Sequence, residues 1–364
     1  MIRQHSRQRG IELSKSLTPQ NNTQKPSVPF FGGETADEVW RAVANAFADG
    51  QPLIQDGRGG STRELLHAVL AITNPRQRWL PSRRPAMNPA FAIAELVWIM
   101  AGRDDAAFVN FFNPALPNYA GRSGRYHGAY GYRLRRAFGL DQLMRAKTAL
   151  EANPESRQVV LQIWDTELDL PKKDGTPKDA DIPCNVLGML KVRQGRLDWT
   201  QVLRSNDLFL GVPFNIVQFS SLQEVVAGWL GLEVGQYTQF SDSLHVYERD
   251  LSKIRTVSDV GTQPNTDDIA LPFVESSRAW SKLERVTDRL VSNDLSRIEF
   301  EQLVATSDLP LGFQNYLTIL AADAARRRGW IDQMDRVAEL CRNAALSQLW
   351  RGWLRRVSTA HQIQ

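Results

Sequence analysis

Cysteine is nearly absent from this 364-residue chain, which holds two, Cys184 and Cys341. Two cysteines so far apart exclude a disulfide framework and offer no metal-ligand spacing, so no metal is expected. A reducing, cytoplasmic setting is the default for such a chain. Long apolar runs are missing too, which excludes a helical membrane span. Charge of one sign is scarce: 44 Lys and Arg against 40 Asp and Glu leave a net +4. That balance suits anionic ligands but is too weak to argue for nucleic acid. The first thirty or so residues are polar, with the single acid Glu12 among arginines and lysines, and have no apolar core of a secretory signal. An organelle transit peptide shares that bias, but a disordered tail over 1–33 is the expectation.

What is present fits one large domain or two ordinary ones, with 42% hydrophobic and 23% charged residues. In "ETADEVWRAVANAFADG" (34–50), Val39, Val43, Ala46 and Phe47 share a helical face and Gly50 ends it. "QDGRGGSTREL" (55–65) reads as a glycine-rich turn. "NPAFAIAELVWIMAG" (88–102) reads as an apolar helix carrying one carboxylate, Glu95. "RQVVLQIWD" (157–165) reads as a buried strand, and 186–204 as two strands joined at Gln194–Gly195. A helix after Pro213 stops at Gly231, and 235–247 returns to strand. From about 275 onward the pattern is helix after helix, rich in arginine, with no fixed-period repeat. The expected division is therefore a mixed α/β unit over 34–274 and an appended helical domain over 275–364.

Several residues stand out for their chemistry, each with a plainer alternative. Cys184 follows Pro183 at the start of an apolar strand. It is either a small core hydrophobe or a nucleophile, and only its thiolate attacks well. Arg204 lies on the strand expected to pair with the one after Cys184, and a guanidinium there would favour the thiolate. Arg204 and Ser205 together suit an anionic oxygen such as phosphate, or form a solvated strand edge. Asn215 offers an amide donor and acceptor to a heterocycle edge, or caps a helix. Glu95, among Ile93, Leu96, Val97 and Ile99, is a polar-face residue or a buried acid–base group with a raised pKa. His245 and Tyr247 share one face of a strand, where both could bond a sugar hydroxyl or simply pack. Arg58, between Gly57 and Gly59, is free to reach a phosphate or merely exposed.

In this order the pieces resemble the thymidylate synthase family, which includes pyrimidine nucleotide hydroxymethylases. The carrying elements are Pro183–Cys184, "RSNDLFLGVPFN" (204–215) and "HVY" (245–247), with "AELVWIMAG" (94–102) and "GAYGYRLR" (128–135) upstream. The resemblance covers about 35–250 and implies an α/β fold with a large mixed sheet flanked by helices. It implies that Cys184 adds to C6 of a pyrimidine nucleotide, with 5,10-methylenetetrahydrofolate as co-substrate and no metal. It further implies Glu95 in proton transfer through water and Tyr130 beside the site. Arg58, Arg204 and Ser205 would hold phosphate, and Arg157 would be lent by the other subunit of a homodimer. Asn215 would read the base, His245 and Tyr247 the sugar 3′-hydroxyl, and Asp207, with Gly211 nearby, the folate pterin.

The sequence departs from that family mainly on the folate side. Asn185 stands where histidine usually follows the nucleophile, Gln158 replaces a second arginine, and Leu203 replaces a glutamine. Serine stands two residues before His245 where the family has aspartate. No tryptophan occurs in 103–127, and "STAHQIQ" does not match the family's apolar tail. Reductive methylation of dUMP is the first expectation and hydroxymethylation of dUMP, dCMP or CMP the alternative. A non-catalytic nucleotide-binding or scaffold protein is a third reading, disfavoured by retention of both Cys184 and Glu95.

Overall fold

The structure is a computed structural model and describes residues 28–50, 52–57, 59–254, 261–305 and 308–361. Alternating buried and partly exposed residues build eight strands: β1 (Phe30–Gly33), β2 (Leu53–Gly57), β3 (Gly60–Ile72), β4 (Val160–Gln162), β5 (Asn185–Arg193), β6 (Arg196–Leu203), β7 (Asn206–Asp207) and β8 (Glu233–Tyr247). They form one mixed sheet in the order β1-β3-β8-β6-β5-β4, with β2 paired to β3 and β7 to β8. The β5–β6 hairpin turns at Gln194 (φ 52°) and Gly195 (φ 74°), where two positive φ values match the twist of the strands they join. The turn expected there is the turn observed.

Two expectations need correcting. The glycine-rich stretch 55–65 is largely extended, and only residues 58–59 separate β2 from β3. The strand expected over 157–165 shrinks to three residues at the sheet edge, with Val160 exposed. Pairing ends there because the amides of Ile163 and Trp164 converge on one carbonyl, that of Val186.

The principal helices are α1 (Ala36–Asp49), α2 (Pro89–Met100), α3 (Gln142–Ala152), α4 (Gly211–Leu230), α5 (Phe273–Val291), α6 (Arg297–Ala305), α7 (Leu311–Arg327), α8 (Ile331–Ala338) and α9 (Ala344–His361). A Thr35–Glu38 capping box starts α1, and Asn88 caps α2 by accepting from the Phe91 amide. Helix α4 lies on β6 and β8 and is buried nearly all round, stopping at Gly231 in the left-handed conformation (φ 64°). Gly228 lets the backbone of Ala270 approach; a Cβ there would sit 2.5 Å from Ala270 C.

The C-terminal helices α5, α7 and α9 pack on α2, the helix that carries Glu95. Asp267 ties α7 to the start of α9, accepting from Asn315 (2.5 Å) and Asn343 (2.6 Å). Beneath it Arg78 and Glu224 form a fully buried ion pair between the 73–88 segment and α4. Among the described residues no helix is long and apolar enough to cross a membrane.

Candidate active site

Cys184 is half-buried at the mouth of β5 and is not in a disulfide. The Arg204 amide donates to the Cys184 carbonyl (3.0 Å), so the two strands pair where the sequence suggested. The Arg204 guanidinium donates to the carbonyls of Pro183 (2.9 Å) and Ile182 (3.2 Å) and lies 5.5 Å over the Trp164 ring. It therefore fixes the backbone leading into the cysteine. Ser205 is half-buried directly after it.

Tyr130 lies near Cys184 on a separate segment. Its loop is tied to the segment before Cys184 by the Gly128 amide, which donates to Asp181 Oδ2 (2.8 Å). Gly131 lies against α2 so closely that a Cβ would meet the Ile99 backbone at 2.4 Å. Burial raises the Tyr130 pKa, and the neighbouring Cys184, Asp181 and Glu95 raise it further, while Asn185 hydrogen-bonds the phenol. Tyr130 thus faces Cys184 and Glu95 as a neutral hydroxyl.

Glu95 points from α2 toward α4. Burial pushes its carboxyl up to about 8, opposed by a hydrogen bond from the Gln218 side chain. Its Oε2 is buried and has no hydrogen-bond partner among the described residues. An acid so placed is held near the pH at which it can exchange a proton.

Asn215 is not a cap. It lies within the first turns of α4, is buried, accepts from Asn185 Nδ2 (3.2 Å) and donates to Asn206 Oδ1 (3.1 Å). Gly211 makes room for that pair: a Cβ there would lie 2.7 Å from Asn206 Oδ1. Asp207, on β7 opposite His245, spends one oxygen on the amides of Phe209 (2.7 Å) and Leu210 (3.2 Å). Burial raises its pKa, and those two amides and the neighbouring His245 oppose the rise. His245 and Tyr247 do share one face, their rings edge to face at 5.5 Å. The Tyr247 hydroxyl lies under Gly59, and Arg249 stacks on the Tyr247 ring at 4.0 Å. Arg58 lies outside the described residues.

Arg157 does not join this group. It is exposed on the loop before β4, at the edge of the sheet. Sequence reasoning passed over Gln218, Gln201 and Asn206, and noted Asn185 only as a departure. A signal existed: in β6 the inward residues Leu197, Trp199, Gln201 and Leu203 include one amide among apolar neighbours. Among the described residues no cluster of three His, Cys, Asp or Glu side chains could hold a metal ion.

A half-buried cysteine at a strand mouth thus lies near a buried tyrosine, a glutamate with a raised pKa and a buried asparagine amide. The thymidylate synthase family model matches residues 74–270, and the chain belongs to that family. It is 35% identical over 215 residues to a deoxyuridylate hydroxymethyltransferase of Pseudomonas phage M6, covering 58% of this chain and 60% of that protein. A protein of the same name from Bacillus phage SP01 is 36% identical over 201 residues, covering 52% and 51%. The chain thus spans between half and two thirds of the length of these two relatives. A putative thymidylate synthase of Methanothermobacter marburgensis is 32% identical over 229 residues, 62% of this chain and 95% of that protein.

Proposed function

We propose that this chain transfers a one-carbon unit to C5 of dUMP and completes the reaction with water, giving the 5-hydroxymethyl nucleotide. The carrying observation is the convergence of Glu95, Tyr130 and Asn185–Asn215 on the segment that presents Cys184. The Cys184 thiolate forms a bond to C6, and the electron pair moves toward C5 and the C4 oxygen. Asn215 holds the C4–N3 edge, and His245 and Tyr247 hold the sugar. Arg204, Ser205 and Arg58 serve the phosphate. When bound, methylenetetrahydrofolate supplies the one-carbon unit that C5 attacks; the buried Oε2 of Glu95 without a partner fits a site completed by ligand and water. Asp207 and Gly211 face that co-substrate. Glu95 then accepts the C5 proton through water, the electron pair left at C5 expels the folate nitrogen from the one-carbon unit, and a second water adds to that exocyclic carbon as the thiolate leaves. The balance is dUMP, methylenetetrahydrofolate and water giving hydroxymethyl-dUMP and tetrahydrofolate.

Water is favoured over hydride by the missing tryptophan in 103–127 and by the names of the two phage relatives. Reductive methylation to dTMP is the second reading, favoured by the archaeal relative whose length the chain nearly spans. The chain acts as a homodimer, with the exposed Arg157 reaching the partner's phosphate site.

The test uses dUMP, UMP, dCMP and CMP carrying tritium at C5, with methylenetetrahydrofolate and a Cys184→Ala control. Cysteine-dependent release with a hydroxymethyl product and tetrahydrofolate supports the proposal. A methyl product with dihydrofolate supports the second reading. No release from any of the four points to a binding protein instead.

A further inference from the structure

Four buried side-chain amides run in series between β6 and α4. Trp199 Nε1 donates to Gln201 Oε1 (2.9 Å), and Gln201 Nε2 donates to Asn185 Oδ1 (2.9 Å). Asn185 Nδ2 donates to Asn215 Oδ1 (3.2 Å), and Asn215 Nδ2 to Asn206 Oδ1 (3.1 Å). Asn206 Nδ2 ends the series on Ser241 Oγ (3.2 Å). All six residues are buried.

A carboxamide can turn over and exchange oxygen for nitrogen with little change of shape. This series cannot, because its two ends differ. An indole N–H only donates, so Gln201 must present oxygen to it and is left with nitrogen for Asn185. Each later amide inherits its direction from the one before. The Ser241 hydroxyl both donates and accepts, so the far end tolerates either sense. Turning Asn215 alone would oppose two oxygens on one side and two N–H groups on the other in a buried place, and such unmade bonds are costly. Turning all four would set the Gln201 amino group against the indole.

We infer that Trp199, acting through Gln201 and Asn185, is the positioning residue that fixes which face of the Asn215 amide meets the base, and so the choice of uracil over cytosine. The inference rests on Asn215 being the base-reading residue. After the relay takes its share, Asn215 keeps one N–H and one lone pair. Uracil offers an oxygen at C4 beside an N–H at N3; cytosine offers an amino group beside a bare ring nitrogen. One fixed amide matches one of these patterns and opposes the other. The histidine-to-asparagine departure at position 185 thereby acquires a purpose, since an amide transmits direction from Gln201 to Asn215.

The test is equilibrium binding of dUMP and of dCMP to the full chain by calorimetry. Two variants are compared with wild type. Trp199→Phe removes the one-way donor and keeps an aromatic ring in the core. Gln201→Glu keeps the shape and still accepts from the indole, but its carboxylate cannot donate to Asn185, which drives the series to the opposite sense. The expected result is a preference for dUMP in wild type that falls about tenfold or more in Trp199→Phe and further in Gln201→Glu. A purely structural role weakens both nucleotides alike and leaves their ratio unchanged. An unchanged ratio in both variants, with wild type still preferring dUMP, overturns the inference alone. Wild type that binds neither nucleotide overturns the reading of the site, and the inference with it.

Discussion

Replacing Glu95 by glutamine should change how stability depends on pH, in a direction the geometry dictates. In the folded chain burial holds the carboxyl at about 8, against an ordinary value of 4.5. In the unfolded chain it ionises in the ordinary range. Between the two values the folded state carries a proton that the unfolded state has lost, so stability falls as pH rises through this window. The contribution is fully present below the ordinary value and gone above about pH 8, a loss on the order of 5 kcal/mol. Glutamine is neutral throughout and lacks that slope. It still accepts a hydrogen bond from Gln218, so the packing between α2 and α4 is kept. The assay is urea unfolding of both chains between about pH 5 and pH 9. Asp37, Asp181, Asp207 and Asp267 also titrate high through burial, but they do so in both chains and cancel in the difference. The expected outcome is a difference that grows with pH in favour of Glu95→Gln. Parallel curves would refute the claim that this carboxyl is buried without adequate compensation. The same substitution should slow tritium release from C5 by roughly a hundredfold if Glu95 moves that proton.

Arg78→Met should cost about 1–3 kcal/mol in unfolding experiments, because Glu224 loses its fully buried partner and keeps only Arg76 (3.2 Å) and the Ile269 amide (3.1 Å); no measurable loss would contradict that pairing. Gly131→Ala should lower the thermal midpoint by several degrees through its clash with the Ile99 backbone, at a cost of about 3 kcal/mol. Mixing inactive Cys184→Ala and Arg157→Ala chains should restore about a quarter of the sites, since half the dimers are mixed and each mixed dimer rebuilds one. Chains that complement no activity, although each binds its partner, would remove Arg157 from the shared site.

Much of the site was legible because motif residues sit on elements with strong local signals. The β5–β6 hairpin announces itself by Gln194–Gly195, and that pairing carries Arg204 to Cys184. Period-two alternation put His245 and Tyr247 on one face. The run after Pro213 read as a helix ending at Gly231 from its spacing, but the helix begins earlier, at Gly211, which puts Asn215 inside it and not at its cap. The amide series was not legible, because it needs three strands and a helix in register. Asn185 and Gln201 are sixteen positions apart in sequence and become neighbours only through the hairpin. The C-terminal helices gave no hint of their partner either. An amphipathic stripe states that a face is buried, not against what, and here α5, α7 and α9 cover the helix that holds Glu95.

Burial raises the Glu95 pKa, and the helices packed on α2 are one part of the structure that can contribute to that burial. Glu95 lies near the C-terminal half of α2, where a short isolated helix would let water reach the carboxyl. Phe273, Trp280, Phe313 and Leu346 on the added helices join the same apolar core as Ile93, Leu96 and Ile99. Asp267 fixes α7 and the start of α9 through Asn315 and Asn343. Loosening that lattice should therefore register at a carboxyl it never touches. Asn343→Ala removes one of the two amides on Asp267 and is expected to lower the Glu95 pKa toward its ordinary value. The pH at which C5 tritium release is half-maximal should fall by the same amount. Should the profile hold still while the protein loses stability, the helices support the fold without tuning the acid.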